Sequence, residues 1–115
     1  MNNSMAKVLI SDPIDAAGID ILSQVAQVDE KIGMSGDEFK SVIGSYDALM
    51  IRSGTQVTAE VIEAAKNLRI IGRAGVGVDN VDVPFATKRG VLVVNSPEGN
   101  TIAAAEHALA LLLSL

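Results

Sequence analysis

Cysteine is absent from the chain, which excludes disulfide frameworks, cysteine-ligated zinc, iron–sulfur clusters and thiol chemistry. Tryptophan is absent too, and Tyr46, Phe39 and Phe85 are the only aromatic residues. A core must therefore be assembled from Val, Ile, Leu and Ala. Positive charge is scarce: 9 Lys and Arg face 14 Asp and Glu, for a net charge of -5. That disfavours nucleic-acid binding, which needs a basic footprint. Long apolar runs are missing as well. The longest, Ala108 to Leu113, is too short to span a bilayer. Residues 1–6 have no apolar segment of the secretory type and are read as a leader outside the fold. A cysteine-free chain of this kind fits a reducing, cytoplasmic setting.

What is present is ordinary globular material. The 115 residues are 49% hydrophobic and 20% charged, enough for one domain with one core. Strand and helix signals alternate along it. Val8-Leu9-Ile10 is a short apolar run ending at Ser11-Asp12-Pro13. Asp12 suits a helix N-cap and Pro13 a first helical position. Val25 to Val28 reads as a second strand. Ser35 and Glu38 have the spacing of a capping box. Ala48 to Ile51 is a buried strand, Thr58 opens a helix, and Arg69 to Gly72 is a fourth strand. Pro84 and Gly90 bracket a short helix, Val91 to Val94 is a fifth strand, and Asn95 to Asn100 is a polar loop. Thr101 to Leu115 is a last helix.

Continuous apolar strands separated by helices predict an α/β fold: a doubly wound parallel five-stranded sheet, flavodoxin-like, in the order 2-1-3-4-5, with helices on both faces. Ligands in such sheets bind outside the strand carboxyl ends. Asp12, Lys31, Arg52-Ser53, Arg73 to Val76, and Asn95 to Asn100 all follow strands and fall on that rim. Arg52 can present a planar donor fork to an anion, or be a solvated residue in a capping turn. The run Gly72-Arg73-Ala74-Gly75-Val76-Gly77 can bring backbone amides to a ligand, or be a plain tight turn. Its spacing, G-x-x-G-x-G, is not the dinucleotide fingerprint G-x-G-x-x-G. Asn100 or Thr101 can cap the last helix. His107, the only histidine, is read as structural on a packed helix rather than as a catalytic base. Lys31 is a surface lysine unless a ligand meets it. No His, Asp and Glu set has metal-ligand spacing.

Four segments in order resemble the amino-terminal part of the D-2-hydroxyacid dehydrogenases: Arg52 to Thr55, Gly72 to Asp82, Asn95 to Asn100, and Ala104 to His107. The resemblance runs from Lys7 to the end and is nearest to members that oxidise 3-phospho-D-glycerate. It implies a substrate-binding domain over 7–100. It also implies a helix, 101–115, crossing toward an NAD-binding Rossmann domain not contained in this sequence. Catalytic residues are expected beyond the chain, so none is assigned here and the chain alone is expected to be inactive. By the same resemblance Arg52 and Ser53 contact substrate. Arg73, Ala74, Gly75 and Val76 form the loop whose amides hold a carboxylate. Val76 also lies near the nicotinamide, Asn100 touches substrate at the domain junction, and Lys31 meets a phosphate. The implied cofactor is NAD and the implied partner a small anionic phosphorylated hydroxy acid.

Two other readings stay open: a relative acting on glyoxylate or lactate, and a non-catalytic domain that binds small anions. A signalling receiver shares the fold type but needs an acceptor Asp where Arg52-Ser53 stands. The last helix, Ile102 to Leu115, has almost no polar face, and a homodimer through it is expected.

Overall fold

The computed structural model describes residues 5–75, 77–96 and 101–114. Five strands, β1 (Ala6–Ile10), β2 (Ala26–Glu30), β3 (Ala48–Ile51), β4 (Ile70–Ala74) and β5 (Leu92–Ser96), alternate with five helices. These are α1 (Ala16–Ser23), α2 (Gly36–Ile43), α3 (Ala59–Ala64), α4 (Val83–Lys88) and α5 (Thr101–Ser114). All strand pairs are parallel and the order is β2-β1-β3-β4-β5, as expected. No helix among the described residues is long and apolar enough to cross a membrane.

Side chains along a strand alternate between faces, and here both faces are covered. Leu9, Leu49, Ile51 and Ile71 pack with Phe39 and Ile43 of α2, Val61 and Ile62 of α3, and Ala86 of α4. Val8, Ile10, Met50 and Ile70 pack on the other side with Leu22 of α1 and with Ala104, Ala105 and Ala108 of α5. This explains the continuous apolar runs: a strand buried on both sides has no solvent face to alternate with.

Local chemistry starts most helices where it was expected. Ser35 and Glu38 form the reciprocal capping box, Thr58 caps α3, and Asp82 caps α4 with Pro84 in its first turn. Gly90, at φ 78°, follows the C-cap of α4.

The first helix differs. Its N-cap is Asp15, not Asp12, and Pro13 lies in the preceding loop. The Asp12 carboxylate is engaged by the loop after β3, and that holds the chain at the sheet edge for three further residues. Three strands also run past their expected ends. β2 continues to Glu30 because it pairs with β1 through Ile10↔Glu30, and β4 continues to Ala74 through pairing with β5. β5 therefore takes in Asn95 and Ser96, which composition alone places in a loop. At the amino end, Ala6 pairs with Ala26, so the fold begins inside the expected leader. Residues 1–4 and 97–100 lie outside the described residues.

Candidate functional site

Because every strand points the same way, the segments leaving β1, β2, β3 and β4 share one edge of the sheet. Ser11 and Asp12 leave β1, Lys31 leaves β2, and residues 52–55 leave β3. A cleft of about 400 Å³ opens between these segments, beside the point where the strand order reverses; Ser11, Asp12, Ser35, Phe39, Thr55 and Gln56 are among its lining residues.

The segment after β3 is the best-anchored part of the rim. Arg52, Ser53 and Gly54 are exposed, while Thr55 is buried. Asp12 lies beneath them and is buried. Its Oδ2 accepts from the backbone N–H of Arg52 at 2.7 Å and of Thr55 at 3.0 Å, and its Oδ1 accepts from the Thr55 hydroxyl at 2.8 Å. The Ser11 and Thr55 hydroxyls are a further 2.8 Å apart. From the other side the Asn80 amide donates to the carbonyls of Arg52 at 2.8 Å and Thr55 at 2.7 Å. A carboxylate and a carboxamide thus hold four backbone groups of one short turn. Gly54 has little room: a Cβ there would stand 2.8 Å from Asp12 Oδ1.

The glycine run is organised differently. Gly72, Arg73 and Ala74 belong to β4, so the turn begins at Gly75. Arg73 is only 6% exposed. Its Nη1 donates to the Gly77 carbonyl at 2.7 Å, and its Nη2 is 3.9 Å from Asp79 Oδ1. The guanidinium is therefore turned into the protein rather than toward solvent. Gly75 (φ 151°) and Gly77 (φ 78°) take backbone angles that favour glycine. The Gly75 N–H donates to Ser96 O at 3.1 Å, and Asn95 Nδ2 donates to the Gly75 carbonyl at 3.3 Å.

Among the site residues expected from sequence, Arg52, Ser53 and Lys31 are on the exposed rim. Arg73 and Ala74 are buried strand residues, and Gly75 opens the turn. Val76 and Asn100 lie outside the described residues. His107 is exposed on α5, whose Ala104, Ala105 and Ala108 pack into the core. Asp12 and Asn95 stand on the rim as expected, and Thr55 and Asn80 within the matched segments; the turn-holding roles the structure gives these four were not read from sequence. An acid directly at a strand's carboxyl end was the available signal for Asp12.

Known proteins match this chain in sequence and in fold. The family described as D-isomer specific 2-hydroxyacid dehydrogenase, catalytic domain, matches residues 8–110. The chain belongs to the D-isomer specific 2-hydroxyacid dehydrogenase family. A D-3-phosphoglycerate dehydrogenase of Synechocystis is 64% identical over 97% of this chain, and the chain spans only 20% of that relative's length. A crystal structure of a Pyrococcus horikoshii protein is 34% identical, with a TM-score of 0.76 over 79% of this chain and 27% of its own. An NAD⁺-bound 3-phosphoglycerate dehydrogenase of Entamoeba histolytica is 22% identical and shares the fold, with a TM-score of 0.72 over 82% of this chain and 33% of its own.

The described residues of this family member do not form a dinucleotide site. The turn after β4 has the wrong glycine spacing, and the next helix opens on Asp82, an anionic cap facing the end where a pyrophosphate would sit. Nor is any group of three or more His, Asp or Glu side chains among them placed to hold a metal ion.

Proposed function

We propose that this chain is the substrate-binding lobe of an NAD-dependent D-3-phosphoglycerate dehydrogenase of L-serine biosynthesis. The reaction of the whole enzyme is oxidation of 3-phospho-D-glycerate to 3-phosphohydroxypyruvate, with NAD reduced to NADH and one proton released. The observation that carries this reading is Arg52-Ser53-Gly54, exposed on the rim of a chain 64% identical to an enzyme of that name. An outward guanidinium offers a two-pronged donor to a carboxylate or phosphate. This lobe binds and orients the acid and carries none of the hydride chemistry; NAD is held by a part of the enzyme outside this chain. We assign the substrate carboxylate to Arg52, Ser53 and the turn at Gly75 and Val76, with Asn100 at the junction and Lys31 toward the phosphate. Val76 is also the point of approach to the nicotinamide.

Residues 7–100 form the substrate domain in this reading, and 101–115 lead to the NAD-binding domain. The outward face of α5, with Ile102, Ala103 and Ala110, is covered there by that domain; in this chain on its own it is covered by a second copy. A cytoplasmic location goes with the soluble metabolites it handles.

The test is a spectrophotometric assay. The full-length protein with 3-phospho-D-glycerate and NAD should generate NADH, and faster than with lactate or glycolate. The 115-residue chain should generate none. Full-length protein that prefers an unphosphorylated acid would replace this substrate assignment. Sedimentation equilibrium of the chain should give a dimer; a monomer at micromolar concentration would remove the second-copy proposal.

A further inference from the structure

We infer that Asp12 is a positioning residue for Arg52. The inference rests on the reading of Arg52 as a substrate contact. Arg52, Ser53 and Gly54 are exposed, so packing does little to fix their backbone. What fixes it is polar. The Asp12 carboxylate takes the Arg52 and Thr55 N–H groups on one oxygen and the Thr55 hydroxyl on the other. Asn80 takes the two carbonyls from the opposite side. The turn is gripped at both ends, and the Arg52 side chain leaves it in a set direction.

A carboxylate beside an anion site would ordinarily oppose the ligand. Asp12 borders the cleft but is only 7% exposed, and its carboxylate is already engaged by three donors of the turn, which offset its charge. A carboxylate is also the smallest side chain that accepts from two N–H groups and a hydroxyl while bringing no donor of its own. Asn at this position can keep most of the grip. Its carbonyl can serve the two N–H groups that share Oδ2, and its amide can donate to the Thr55 hydroxyl, which then donates to Ser11.

Asp12→Ala, Asp12→Asn, Gly54→Ala and Arg52→Ala in the full-length protein test this. Misplacing a positioning group costs on the order of tenfold or more, so Asp12→Ala should raise KM for 3-phospho-D-glycerate by about that factor while KM for NAD stays within about twofold. Asp12→Asn should restore most of the loss. Gly54→Ala, which pushes a Cβ against Asp12 Oδ1, should raise the acid KM with the carboxylate still in place. In an Arg52→Ala background, Asp12→Ala should add clearly less than it costs alone, because most of its effect acts through Arg52. Backbone hydrogen exchange at Arg52 and Thr55 should speed up in Asp12→Ala and not in Asp12→Asn. An acid KM unchanged in Asp12→Ala, or additive with Arg52→Ala, overturns the positioning role and leaves the substrate reading standing. An acid KM unchanged in Arg52→Ala overturns the substrate reading and this inference with it. If Asp12→Ala does not fold, Gly54→Ala and Asp12→Asn decide: an acid KM unchanged in Gly54→Ala overturns the role, and so does exchange at Arg52 as fast in Asp12→Asn as in an open turn.

Discussion

Arg52 and Arg73 stand at the carboxyl ends of neighbouring strands and share a residue type, a rim and an expected ligand. The register pairs Arg73 with Ile51, so Arg52 is one step farther out than its neighbour. That single step separates their roles. Arg73 lies within β4, and its guanidinium folds under the next turn, bonding the Gly77 carbonyl with Gly75 close over it. Arg52 lies past the end of β3; its backbone is gripped from below and its side chain is exposed. One arginine braces the protein; the other is exposed, where we propose it meets the acid. Residue type at a strand end thus says less than position relative to the last ladder pair.

The largest expected effect breaks this pair apart on the stability axis. Arg73→Ala removes a charge-assisted hydrogen bond and a buried aliphatic stem, so urea unfolding should show a loss of about 2–4 kcal/mol. Arg52→Ala removes an exposed side chain and should stay within about 0.5 kcal/mol. Equal losses would mean that the two arginines do the same work.

Substrate use should reverse the ranking. Arg52→Ala in the full-length enzyme should weaken kcat/KM for the acid by about 1.5–3 kcal/mol, the scale of a hydrogen bond to a charged group. NAD affinity should hold. A loss confined to NAD would move Arg52 off the acid site.

The β-α alternation and four of the five helix starts were legible because they follow from periodicity and capping, which are local. Ser35 with Glu38 and Thr58 show this. The strand order followed from the doubly wound arrangement such alternation favours. Strand ends were less legible, since they depend on pairing partners: Asn95 looks like a loop residue until β4 lies beside it. Asp12 was misassigned for a related reason. Asp followed by Pro is a good helix start, and only the turn after β3, forty residues away, makes it an acceptor for backbone amides. The glycines divide in the same way. Gly72 is a packing glycine in β4, where a Cβ would meet Met50 Sδ at 2.6 Å and Ala108 of α5 at 3.4 Å, whereas Gly75 is conformational at φ 151°. Gly72→Ala should therefore cost about 1–2 kcal/mol of stability by overpacking and leave the acid KM unchanged. Gly75→Ala should shift that KM. The opposite outcome would place the working turn at Gly72.

The other end of β3 supplies the mildest test. Tyr46 sits two residues before the strand, where Arg52 sits one residue after it, and like Arg73 it is a polar group turned inward. Its hydroxyl donates to Asp29 Oδ2 at 2.6 Å and Lys7 Nζ lies 5.2 Å from its ring centre. Burial, and then the Asp29 carboxylate, push the phenol from 10.0 up to about 12. The fold favours the protonated form, so this stabilisation is complete below pH 10, where both states keep the proton. It is lost as pH rises from 10 toward about 12, as the unfolded chain ionises first. Tyr46 is the only tyrosine, so phenolate absorbance of this chain reports it alone. The folded chain should titrate well above its urea-unfolded form. Tyr46→Phe should lower stability at neutral pH by about 1 kcal/mol, the scale of the lost hydrogen bond, and flatten the fall in stability over that alkaline window. A folded-state midpoint equal to the unfolded one, with helical circular dichroism intact, would mean that the Asp29 bond does not form, and that inward-turned polar groups brace only the ligand end of the sheet.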